Sequence, residues 1–171
     1  MIVKKELIVL SAVLLPLLLT ACSIEVRPDP FEERAARARA IEAGVTERLE
    51  AYYSDFSALN WEAYRSHFWP GATIATAWQP PGEERVSAQV QTVDDFIAVA
   101  GEGPGSREIF EEWMVSSELK VAGNLAHAWV RYGARFGDPG DVQEWEGIDS
   151  FSFLNVDGEW KIASLVFAAG E

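Results

Sequence analysis

From Ile109 onward the chain consists of long alternating runs cut by tight-turn residues, and this pattern constrains the fold more than any other feature. The run from Ile109 to Val121 meets Gly123-Asn124, a two-residue hairpin signal. The run from Leu125 to Phe136 meets the looser turn Gly137-Asp138-Pro139-Gly140. The run from Val142 to Leu154 meets Asp157-Gly158, and a last run goes from Trp160 to Ala168. Turns this short join antiparallel neighbours, because a parallel return needs a dozen or more residues. The C-terminal half is therefore a meander.

The N-terminal half has a different period. Asp29-Pro30-Phe31-Glu32 reads as a helix start, with Asp29 as cap, Pro30 at the first helical position and Glu32 closing a capping box. Ile41, Val45, Leu49, Tyr52, Tyr53 and Phe56 then recur at three- and four-residue spacing, one face of a long helix. Arg34, Arg37, Arg39, Glu47 and Arg48 make its solvated side. Asn60 caps a shorter helix from Trp61 to His67, which Pro70-Gly71 stops. A short strand runs from Thr73 to Trp78, and Gln79-Pro80-Pro81-Gly82 turns the chain. A third helix spans Thr92 to Ala100, with Thr92 as cap and Asp94 and Asp95 in its first turn. The segment from Gly101 to Ser106 is a loop. Helices first and a meander afterwards predict an α+β fold, with the helices packed on one face of a curved antiparallel sheet.

Three segments carry a family resemblance: LNWEAYRSHFWPGATI, GNLAHAWVRYGARF and GIDSFSFLNVDGEWKI. Together the chain from about residue 33 to 168 resembles the NTF2-like superfamily, which includes ketosteroid isomerase, scytalone dehydratase and SnoaL-like cyclases. The resemblance implies a cone, in which helices and a bent sheet enclose a conical pocket. Some members of that superfamily are enzymes, some bind ligands and some only dimerise, so the fold leaves the function open.

Strand alternation says which side chains could face such a pocket, since successive residues point to opposite faces. Along the third long strand, Trp145, Gly147, Asp149, Phe151 and Phe153 share one face, read here as the inward one. Along the second, Ala126, Ala128, Val130, Tyr132 and Ala134 share a face and leave room for a helix or a cavity. His127, Trp129, Arg131 and Arg135 lie opposite, as suits solvent or a dimer interface. Asp149 is the leading candidate for catalysis. A carboxylate among aromatics is expensive to bury charged, and its pKa rises into the range of a general acid or base. Tyr53 from the long helix and Tyr132 from the sheet are the candidate hydrogen-bond donors, as the resemblance to ketosteroid isomerase also implies. Trp78, Trp145, Phe151 and Val130 are the candidate walls for an apolar ligand. Each of these residues has a plain structural alternative, because buried aromatics and tyrosines also simply fill cores.

Other chemistries find little support. His67 and His127 are the only histidines, and they come without the clustered carboxylates of a metal site. Scytalone dehydratase relies on a histidine-rich pocket, which this pattern lacks. Limonene epoxide hydrolase, another relative, places an Asp two residues after a strand Arg, where this chain has Gly133 after Arg131. Ser150 and Ser152 lie in no nucleophile elbow, and the 101–106 loop lacks the Lys and spacing of a P-loop. The acidic stretch from Glu108 to Glu112 reads as a solvated strand edge rather than a calcium site. No cofactor is called for.

The first residues set a destination. Lys4 and Lys5 precede an uncharged apolar run from Leu7 to Ala21, interrupted by Pro16. The run is too short to span a bilayer and has the order of a secretory signal. Leu19-Thr20-Ala21-Cys22 resembles the lipobox of bacterial lipoproteins. That resemblance implies cleavage before Cys22, acylation there, and anchoring in a lipid bilayer. Ser23 in place of Asp implies an outer-membrane protein facing the periplasm, if the cell is Gram-negative. Cys22 is also the sole cysteine, so no internal disulfide can form. The expected organisation is a signal at 1–21, a lipidated Cys with its tether at 22–31, and one domain at 32–171. Net charge is −13, and cleavage makes it one unit more negative. Such acidity argues against nucleic acid, whose affinity comes from cation–phosphate contacts.

Three roles remain open on these residues: a pocket for a small, largely apolar ligand, an acid–base enzyme built on Asp149, or an interaction domain that dimerises through its sheet.

Overall fold

A computed structural model describes residues 29–78 and 85–169. Cys22, with the signal and most of the tether, lies outside the described residues. Helix α1 spans Pro30–Ser57, α2 spans Trp61–Ser66 and α3 spans Val93–Val99. The strands are β1 (Phe68–Trp78), β2 (Ser87–Thr92), β3 (Ile109–Ala122), β4 (Leu125–Asp138), β5 (Asp141–Val156) and β6 (Glu159–Ala169). They form one curved, unclosed sheet in the order β2-β1-β6-β5-β4-β3. Every pair is antiparallel except β1 with β6. The fold is α+β, with the helices on the concave face.

The meander follows the expected runs to within a few residues at each end. Asp157 and Gly158 both take positive φ in the β5–β6 turn, where Asn155 Oδ1 accepts from the Gly158 amide at 3.1 Å. In the N-terminal half, Asp29 caps α1 by accepting from the Phe31 amide at 2.8 Å. Helical structure thus begins at Pro30, ahead of the domain boundary expected at residue 32. Thr92 and Asp95 form a reciprocal capping box on α3.

Two expectations fail at the sheet edge. β1 begins at Phe68, well before Thr73, so Pro70-Gly71, expected to stop α2, lies inside the strand that follows it. The register against β6 shifts between Phe68 and Thr73, and Gly71 has φ of +81°. A bulge there absorbs the proline that a regular ladder would reject. β2 was not anticipated at all. It is an exposed edge strand without inward apolar alternation, so its pairing with β1 is set by the partner and not by its own pattern.

The core sits between α1 and the sheet. Val45, Leu49, Tyr52, Tyr53 and Phe56 form the buried stripe of α1. Ala126, Ala128, Val130 and Ala134 are fully buried on the inward face of β4, where their small side chains leave room for the aromatic rings of the core. Tyr52 meets Phe151 edge-to-face at 5.1 Å and Tyr64 at 5.3 Å. Such ring pairs add about 0.5–1.5 kcal/mol each beyond the area they bury. Ser57 ties α1 to the β3 edge: its Oγ donates to the Glu112 carbonyl and accepts from the Glu112 amide, both at 2.8 Å.

Candidate functional site

α1 covers one end of the concave sheet and leaves the other open. There α2, α3 and the turns from Ala100 to Ser106 wall a cavity of about 520 Å³. That volume falls within the usual range for small-molecule sites, roughly 300–1,000 Å³. Every helix and each of β3 to β6 sends an aromatic side chain to its wall, among them Phe56, Phe96, Phe110, Phe136, Trp145 and Phe167.

Polar groups gather on one side of this cavity. Asp149 on β5 is 3% exposed. Its Oδ2 accepts from the Tyr53 hydroxyl at 2.5 Å, and Oδ1 has no hydrogen-bond partner among the described residues. Burial pushes the Asp149 carboxyl up to about 7, against the opposing pull of the Tyr53 hydrogen bond. Glu112 on β3 also lines the cavity. The residue is half-buried, yet its carboxyl group is desolvated and feels the Asp149 charge, and both effects hold it well above the usual carboxylate range. Tyr132 on β4 completes the cluster. Burial raises its hydroxyl to about 12, with the Trp145 indole pulling the other way and the two carboxylates adding to the rise. The Trp145 indole nitrogen is buried next to this hydroxyl without a partner of good hydrogen-bond geometry. Burial and the same carboxylates raise Tyr52, Tyr53 and Tyr64, so all four phenols are donors at neutral pH.

The backbone makes room for this cluster at Gly147, which pairs with Tyr132 across the ladder. A Cβ at Gly147 would collide with the Tyr132 ring and hydroxyl and come within 2.5 Å of the Ala168 carbonyl. Glycine therefore allows the phenol to lie across β5.

The structure brings Asp149, Tyr132 and Trp145 together on one cavity wall, with Tyr53 hydrogen-bonded to Asp149 from behind it. Tyr53 itself belongs to the helix–sheet core, and only its hydroxyl reaches Asp149. Phe151 and Val130 require a correction. Both face inward and both are fully buried, but they belong to the helix–sheet core, where Tyr52 packs on Phe151, and do not line the cavity. Trp78 ends β1, and its side chain lies outside the described residues.

Glu112 is the residue that the sequence reading missed. The expected solvated edge holds for Glu111, which accepts from Arg135 at 3.1 Å on the outer face. Glu112 points the other way, together with half-buried Phe110 and Met114. Alternation along β3 puts Glu112 on the inward face, as it does Tyr132 on β4 and Asp149 on β5. His67 plays no part in the cavity. It is buried at the end of α2, with Nε2 2.8 Å from Asp55 Oδ2.

No protein-family description matches the sequence, and no curated protein matches it. Solved structures do. A nuclear transport factor 2 (NTF2-like) superfamily protein from Salmonella enterica serovar Typhimurium aligns with a TM-score of 0.61 at 14% identity, covering 78% of this chain and 94% of that one. An NTF2-like protein of unknown function from Methylobacillus flagellatus aligns at 0.55 and 20% identity, covering 77% and 94%. The β subunit of benzoate 1,2-dioxygenase from Burkholderia mallei aligns at 0.59 and 12% identity, covering 75% and 89%. These neighbours are mostly of unknown function, and one belongs to an enzyme. Helices over the concave side of a curved six-stranded sheet, matched across three quarters of the chain, identify the domain as NTF2-like in fold.

Proposed function

We propose that this domain binds a small, largely apolar molecule in its cavity, held near a membrane by an acylated Cys22. The observation that carries the pocket reading is the cavity itself: about 520 Å³, walled by aromatic rings, with a carboxylate, a phenol and an indole N–H converging on one side. Apolar walls with a few placed polar groups are what a ligand site requires. Native mass spectrometry of the exported protein tests it, and a retained small molecule of defined mass is the expected result. Trp145→Ala should weaken retention at least tenfold, and unchanged retention would remove Trp145 from the site. The anchor rests on the lipobox resemblance. Cys22→Ser should move the protein from the membrane fraction to the soluble one, and a variant that stays with the membrane would refute acylation at that residue.

The Asp149–Tyr53 contact supports a second reading, acid–base catalysis. A carboxyl group with a pKa near 7 can take and return a proton at neutral pH, and the phenols can donate to a ligand oxygen. Exchange of solvent deuterium into a carbonyl compound at its α-carbon would reveal such chemistry. Asp149→Asn should abolish it with the fold intact.

A further inference from the structure

We propose that the ligand is a lipophilic cation, an ammonium group on an apolar body, with its charge seated between Asp149 and Glu112. This deepens the pocket reading and rests on it. Three observations support it. First, the cavity wall carries Asp149, Glu112 and, at the rim, Glu102, but no Lys, Arg or His among the described residues. The arginines of β4 are engaged on the opposite face, Arg131 with Glu146 and Arg135 with Glu111, both at 3.1 Å. Second, Asp149 is almost wholly buried and lines the cavity, with Oδ2 held by Tyr53 and Oδ1 unpartnered among the described residues. A buried carboxylate without a cation is costly, and a ligand that brings the cation offsets that cost. Third, the walls around these carboxylates are aromatic, and the face of an aromatic ring attracts a desolvated ammonium. An anionic ligand would meet three carboxylates and no counter-charge.

The ionisable groups facing Asp149 come from several elements: Tyr52 and Tyr53 on α1, Tyr64 on α2, Glu112 on β3 and Tyr132 on β4. Among the described residues, β1, β2, α3 and β6 bring only Thr76, Gln89, Gln91 and apolar residues to the wall. A bound ammonium favours the ionised carboxylates, so its affinity rises with pH through about 7. A neutral ligand has no such dependence on ionised carboxylates.

Calorimetric titration of the full chain with phenylhexylamine, phenylhexanol and phenylhexanoate tests the idea, because the three share one body and differ in charge. The amine should bind at least tenfold tighter than the alcohol at pH 8, and the carboxylate should bind most weakly. Glu112→Gln and Asp149→Asn should each bring the ratio of amine to alcohol affinity toward one, and cooperative urea unfolding of each variant separates loss of charge from loss of fold. An alcohol that binds as tightly as the amine would overturn the cation and keep the pocket. A carboxylate that binds best would do the same. If none of the three binds, both the pocket and the cation fall.

Discussion

Asp149 shows how one buried carboxylate connects stability to chemistry. Its folded pKa of about 7 lies above the ordinary value of 3.8, so between those limits the folded state binds more protons than the unfolded one. Stability is therefore greatest at the acid end of the window and falls as pH rises through about 7, by up to about 4 kcal/mol for this group alone. Glu112 shifts in the same direction and adds to the slope. Urea unfolding at pH 5 and pH 8 should show the native protein less stable at pH 8. Asp149→Asn should flatten much of that difference. Ser57 tests a different kind of residue, since its hydroxyl serves only backbone groups at Glu112. Ser57→Ala should cost about 1–3 kcal/mol, because a partly buried amide and carbonyl lose their partner. It should also weaken ligand binding, because that clamp positions Glu112.

At the level of elements, α1 does two unrelated things along its length. From Val45 to Phe56 it supplies the apolar face that fills the narrow end of the sheet. From Pro30 to Ala40 every residue is exposed, and this stretch rests on helix propensity, the Asp29 cap and the approach of Arg37 to the turns at Gly123–Asn124 and Gly158. Deleting residues 30–40 should leave the thermal midpoint within about 3 °C, since surface changes away from packed features move stability by little. Phe151→Ala should instead cost about 3–5 kcal/mol, the usual penalty for an emptied aromatic core site. The contrast with Trp145→Ala, whose ring borders a cavity already open, separates core from pocket on one strand.

For the whole molecule, the convex side of the sheet offers a surface of its own. Val90, Ala75, Val166, Ser150 and Trp129 stand in one row across neighbouring strands. Val90, Val166 and Trp129 are half exposed or more. The sheet-dimer reading predicts an interface on this row, with a second copy of the chain as the partner. Sedimentation should then show a dimer that Trp129→Glu dissociates, with ligand binding in the concave cavity unchanged. A monomeric native protein would refute the dimer.

Much of this architecture was legible in the residues themselves. The α+β class, the long first helix and the four meander strands follow from local physics: periods of 3.6 and 2, capping side chains and tight-turn residues each act within a few positions of the chain. The inward faces of β4 and β5, and with them Asp149, Tyr132 and Trp145, follow from the same alternation. What only the tertiary structure decided is where the concave side is filled and where it is open. Phe151 and Asp149 share a strand face two residues apart, yet α1 packs the Tyr52 ring on the first and reaches the second through the Tyr53 hydroxyl, leaving it on the cavity wall. β2 owes its existence to β1, and Glu112 meets Asp149 only because β3, β4 and β5 lie side by side. These outcomes depend on which distant segments pack together, and a periodic pattern carries no information about how far along a sheet a helix will reach.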